Sequence, residues 1–266
     1  MKVETIAQKL FFTTLLLQGD FREDPSTTQS ATSFILSYAH EGKIHYFLVT
    51  NWHCVEDKIA GRVFLIPADK GEPVPQKGFV HEIATDTWEW HHFDTRPEID
   101  LAIMPFDPIV AELKQDGIEI YFQPVLQAQI PTAKQFASID ALDEVVFVGY
   151  PGGLRDDSNN VPALRHGMIA TPPQLDYNGL PLFLVDATSF AGSSGSPVFS
   201  YRSRVSIPHR SGTLRLPYLV GIYKGNVQPH DGDLQGVNLH LGLVLRPSLL
   251  LELLQDYFIQ RSKSAA

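Results

Sequence analysis

The chain has 266 residues, a single cysteine, and a net charge of −9 from 21 Lys and Arg against 30 Asp and Glu. A content of 44% hydrophobic and 19% charged residues belongs to a globular chain with enough apolar surface for one large core or two ordinary ones, which excludes disorder. An acidic balance without a basic block leaves no electrostatic footprint for nucleic acid or for an anionic membrane.

From the N-terminus, the segment Leu10-Phe-Phe-Thr-Thr-Leu-Leu-Leu17 is the one stretch with the look of a secretory leader. It carries two threonines and is followed by Gln18-Gly-Asp20 instead of a small-x-small cleavage site, so it reads as a first strand. No apolar run reaches the ~18–20 residues of a membrane helix. The lone Cys54 cannot form an internal disulfide and points to a reducing compartment, so a cytoplasmic location is expected.

Residues 35–38 and 45–50 flank a Gly-containing loop at 39–43, the pattern of a β-hairpin. Further strand-like runs fall at 62–66, 100–104, 144–149, 182–185, 196–199, 217–223 and 238–245, separated by Gly, Pro and Asp. That spacing suggests barrels or a sandwich. Two helices interrupt it. Residues 107–114 open with Asp107 as a cap and Pro108 at the first helical position. Residues 247–258 place Leu250, Leu253, Leu254 and Phe258 at helical spacing, giving one face to dock, with a frayed tail from Arg261 to Ala266. The mixed Pro- and Gln-containing stretch 105–141 reads as a crossover between two domains.

Three segments carry chemistry. In Leu48-Val-Thr-Asn-Trp-His-Cys54 a histidine leaves an apolar strand into a loop. In Glu98-Ile-Asp-Leu-Ala-Ile-Met104 an aspartate opens a strand. In Phe190-Ala-Gly-Ser-Ser-Gly-Ser-Pro-Val-Phe199 two glycines bracket Ser194 and permit a tight turn. Serine is a weak nucleophile and needs a base; histidine titrates near neutrality and fits that task. An aspartate on the far ring nitrogen fixes the tautomer. Backbone N–H groups of Gly192 and Ser194 would receive a developing oxyanion.

These motifs resemble those of trypsin-like, chymotrypsin-fold serine peptidases, of the disulfide-free bacterial kind that includes the HtrA and glutamyl endopeptidase branches. Thr50-Asn-Trp-His53 is similar to the run around the family's general base, Asp100-Leu-Ala to its Asp motif, and Gly192-Ser-Ser-Gly-Ser-Pro197 to its nucleophile loop. The order His, Asp, Ser is that of the fold. The resemblance implies an all-β protein of two six-stranded antiparallel β-barrels packed side by side, with a C-terminal helix. Residues 1–115 would form the barrel carrying His53 and Asp100, and residues 116–266 the barrel carrying Ser194. It further implies a serine endopeptidase acting on protein or peptide substrate, with no cofactor and no metal.

By position, Thr188 and Ser189 would line the primary pocket, and the strand with Tyr223, Lys224 and Gly225 would form its opposite wall and pair with substrate backbone. Glutamyl endopeptidases carry histidine where Tyr223 stands, so their acidic preference does not transfer. Ser193 replaces the aspartate of relatives activated by cleavage, so activation by that route is not expected. Cys54 beside His53 could suggest a cysteine dyad, but neighbours on an extended strand point to opposite faces and should not meet. Trp88-Glu-Trp-His-His92 lacks a second ligand group for a metal. The rival reading is a catalytically silent member of the same fold serving as a protein-binding module. Any regulatory or targeting partner would be a separate protein that the sequence does not name.

Overall fold

The computed structural model describes residues 2–188, 191–200, 207–208, 215–227 and 239–264. Helix α1 (Ile6–Leu10) precedes β1 (Thr14–Phe21), β2 (Thr28–His40), β3 (Lys43–Thr50) and β4 (Lys58–Leu65). A small ribbon of β5 (Ala68–Asp69) and β6 (Glu72–Pro73) leads to β7 (Phe79–Ile83), β8 (His91–His92) and β9 (Ala102–Pro105). Helix α2 (Asp107–Gln115), β10 (Val125–Leu126) and α3 (Ala133–Phe136) follow. The second half holds β11 (Glu144–Gly149), β12 (Ala163–Ile169), β13 (Leu182–Asp186) and β14 (Pro197–Ser200), then the ribbon β15 (Ile207–Pro208) and β16 (Arg215–Leu216). It ends with β17 (Leu219–Asn226), β18 (Leu241–Leu245) and helix α4 (Ser248–Ser264).

The fold is mostly β, with the C-terminal helix that the family resemblance implied. Strands β11-β12-β13-β18-β17-β14 close into a six-stranded antiparallel barrel. The first half is a barrel-like sheet of eight strands in the order β7-β4-β1-β2-β3-β9-β8, with β10 added alongside β2. Its extra members, β8 and β10, are two residues long, too short for a periodicity of two to register. Strands β2 and β3 meet through Glu41 and Gly42, both at positive φ (47° and 75°), a two-residue turn whose twist suits a hairpin.

Three local readings change. Residues 6–10 are helical because Thr5 and Gln8 form a reciprocal capping box, so the first strand begins at Thr14 and not at Leu10. Asp107 does not cap α2; it is the first helical residue, and its Oδ1 accepts from the N–H of Tyr46, which ties the helix to β3 instead. Helix α4 runs through Arg261 to Ser264.

Each sheet has an interior of its own, and a further apolar cluster joins them. Phe34, Leu36 and Phe47 of the first sheet meet Val146, Val148 and Phe199 of the barrel and Leu250, Leu253 and Leu254 of α4. The helix that follows the barrel therefore packs across to the other half. That continuity holds the barrel's Ser194 loop against the first sheet.

Candidate active site

Strand β3 ends at Thr50, and Trp52–Cys54 form one turn of 3-10 helix. The Trp52 ring stacks on His92 of β8, with centroids 3.6 Å apart and planes 18° from parallel. Because β3 pairs with β9 in the register Thr50↔Ala102, this turn lies beside Asp100, just ahead of β9. Asp100 is buried, at 7% exposure. Its Oδ1 accepts the His53 backbone N–H at 2.9 Å, and its Oδ2 lies 2.6 Å from His53 Nδ1. Burial works against the Asp100 charge, but hydrogen bonds and charge from His53, with Lys224 nearby, hold its pKa below the ordinary carboxylate value. Burial likewise pulls the His53 pKa down, yet Asp100 and Cys54 outweigh it and raise it to about 10.

The Ser194 loop is held by backbone geometry. Gly192 and Gly195 both adopt φ 85°, where a side chain is strained. A Cβ at Gly192 would lie 2.5 Å from the Tyr150 carbonyl oxygen. The Ser196 N–H donates to Ser193 O at 3.1 Å and closes the turn. The Ala191 carbonyl accepts from the N–H of Gly152. In a trans peptide the N–H points opposite to the C=O, so the Gly192 N–H faces away from Gly152.

Two residues passed over in the sequence tie this loop to the first sheet. Thr32 is fully buried; its N–H donates to Ser194 O at 3.0 Å, and its Oγ1 donates to Gly192 O at 2.9 Å while accepting the Tyr150 N–H at 3.0 Å. Asn51, also fully buried, donates from Nδ2 to Asp100 O at 2.8 Å and accepts the Gly195 N–H on Oδ1 at 2.7 Å. Asn51 sits inside the Thr-Asn-Trp-His run and could have been singled out there. No local pattern marks Thr32.

Ser194 Oγ donates to the carbonyl oxygen of Lys224 at 3.0 Å. A hydroxyl has one hydrogen to donate, so in this arrangement it is directed at β17 and not at the imidazole. The expectation for Cys54 is overturned: its Sγ lies 3.5 Å from His53 Nε2. The two residues occupy a 3-10 turn, not an extended strand, so their side chains do not point to opposite faces. Tyr223 faces inward as well. It is buried and stacked on Phe147 at 5.8 Å, and its hydroxyl donates to Asn226 at 2.7 Å. Among the other expected wall residues, Thr188 is exposed, Lys224 and Gly225 are half-buried, and Ser189 lies outside the described residues.

With this geometry in view, residues 31–206 match the family described as the trypsin-like peptidase domain. The chain belongs to that family. All three segments with chemical character lie within the match. No curated protein matches it by sequence. Among solved structures, the HtrA-type protease AlgW with a tripeptide aligns at 16% identity and TM-score 0.54, over 95% of this chain and 63% of that one. The active form of the Rv3671c protease from M. tuberculosis aligns at 16% identity and TM-score 0.51, over 94% and 82%. A collagenase labelled HL aligns at 11% identity and TM-score 0.54, over 94% of each chain. At such identities the likeness is one of fold. The chain spans 63% to 67% of the length of the AlgW structures.

Proposed function

We propose that this trypsin-like domain is a serine endopeptidase that hydrolyses peptide bonds through an acyl-enzyme, with His53, Asp100 and Ser194 as its triad. The observation that carries the reading is the His53–Asp100 pair. Its two hydrogen bonds orient the imidazole and leave Nε2 facing away from the carboxylate, where a base must be. The Ser194 loop, tied to the same turn through Asn51, supports it.

In this mechanism the Ser194 side chain rotates from the Lys224 carbonyl toward Nε2. The imidazole takes the hydroxyl proton as Oγ attacks the peptide carbonyl, and the oxyanion forms against the Gly192 and Ser194 N–H groups. The imidazolium then protonates the leaving amine. Water, deprotonated by the same imidazole, attacks the ester, and collapse returns Ser194 and releases the acid. The Lys224 carbonyl, freed by that rotation, becomes an acceptor for a substrate backbone N–H. Peptide substrate is part of the proposal, in line with the peptide-bound form of AlgW.

The test is intact mass after fluorophosphonate treatment at pH 7 and pH 9.5, comparing the native chain with Ser194→Ala. One adduct on the native chain alone is expected. Ser194→Ala should also lose on the order of 10⁶ in kcat on a cleaved peptide, and Asp100→Asn about 10⁴. A folded native chain that takes no adduct at either pH would favour a binding module on this fold.

A further inference from the structure

Both atoms that must react with each other are engaged elsewhere. Ser194 Oγ donates to Lys224 O, and His53 Nε2 lies against Cys54 Sγ at 3.5 Å. Nδ1 is committed to Asp100 at 2.6 Å, so a neutral imidazole has Nε2 as its one acceptor. A thiol donating there occupies the lone pair that a serine proton would need. If the imidazole is protonated instead, its Nε2–H points at sulfur, and again no lone pair is open.

Resting on the triad reading above, we propose that Cys54 is a positioning residue that restrains His53. Its thiol holds Nε2 and must release it before Ser194 can be deprotonated.

The surroundings keep the thiol in place. Cys54 is buried, at 3% exposure, among Leu48, Val55 and Ala102 in the interior of the first sheet. Its N–H donates to Asn51 O at 3.2 Å, and the next N–H, of Val55, donates to Trp52 O at 2.9 Å. The turn is further pinned by Trp52 on His92. Opening of the contact therefore falls to rotation of the thiol or a shift of the half-exposed imidazole, not to movement of the backbone. The titratable groups acting on His53 are Asp100 from the segment before β9 and Cys54 from its own turn; Lys224 on β17 acts on Asp100 in turn. Of the two partners, Asp100 is required for orientation. Cys54 adds only retention of the proton.

The experiment is an NMR titration of the His53 imidazole in the full chain, comparing wild type, Cys54→Ala and Cys54→Ser, with fluorophosphonate labelling rates of Ser194 measured at pH 7. In Cys54→Ala the imidazolium loses the sulfur that accepts its Nε2–H, so the His53 midpoint is expected to fall below the wild-type value, with Asp100 still holding it up. Each unit of that fall raises the neutral fraction, and the labelling rate, about tenfold at pH 7. Cys54→Ser keeps an acceptor for the Nε2–H at nearly the same volume and should lie between the two. It also guards against a folding defect in the alanine variant. Identical midpoints in all three folded forms overturn the inference. If the midpoints shift as expected but no form is labelled at any pH, the restraint stands and the peptidase reading fails.

Discussion

Asn51 is completely buried and uses both ends of its amide, donating to the carbonyl of Asp100 and accepting from the N–H of Gly195. One side chain thus spans the segment carrying the carboxylate and the loop carrying Ser194. Truncation would leave the buried Asp100 carbonyl without this donor and take one of two acceptors from the Gly195 N–H, which also donates to Tyr223 O at 2.9 Å, at a cost of about 1–3 kcal/mol. Asn51→Ala is therefore expected to lower stability by about 1–3 kcal/mol in urea unfolding. Activity should fall further than stability alone explains, because the Ser194 turn loses its anchor to the first sheet. A change below about 0.5 kcal/mol, the range of ordinary surface substitutions, would mean that the bridge does not form in solution.

Helix α4 is where the pattern of elements is most directly tested. Leu250, Leu253 and Leu254 are fully buried against residues from both halves of the molecule, whereas Ile259 on the same helix is 53% exposed. Leu253→Ala should destabilise by about 2–5 kcal/mol, and Ile259→Ala by no more than about 0.5 kcal/mol, both read from urea midpoints. Equal effects would show that the helix does not dock by this face. The docking face was legible in the sequence because leucines at helical spacing have few other uses. Strand β11 was legible too: its burial pattern is continuous from Val145 to Gly149, so an unbroken apolar run marks it. The pairings of β8 and β10 were not, since two residues cannot display a period. The contact between Cys54 and His53 was missed for a related reason. The chain leaves β3 into a 3-10 turn at Trp52, and no residue in that run announces the change from extended to helical backbone. The resemblance pointed to His53, Asp100 and Ser194 by motif. What holds them together, Thr32 and Asn51, depends on contacts between halves distant in sequence, which no local run contains.

At the scale of the whole molecule, the apolar cluster shared by sheet, barrel and α4 and the Tyr150 hydroxyl bonded to Thr14 O at 3.3 Å make the two halves one packed body around the site. Protonation at His53 is then linked to folding of that body. The folded-state pKa of His53 is raised to about 10, above the unfolded value of about 6.5. The native state therefore binds the proton more tightly, and the stabilisation is fully present below about pH 6.5 and lost as pH rises through about 10. Asp100 is depressed below its ordinary value and stays ionised across this window, so it adds no slope of its own there. His91 contributes at the other side: burial lowers its pKa, so protonating it opposes the folded state in acid. Comparing native chain and His53→Gln by urea unfolding at pH 6 and pH 10.5, the stability gap should be wide at pH 6 and narrow at pH 10.5. In the native chain, kcat/KM should rise along the same alkaline limb, since the proton that stabilises the fold is the one the base must lose. A gap of equal size at both pH values would separate the His53 proton from folding and leave the Asp100 pair as a purely orienting contact.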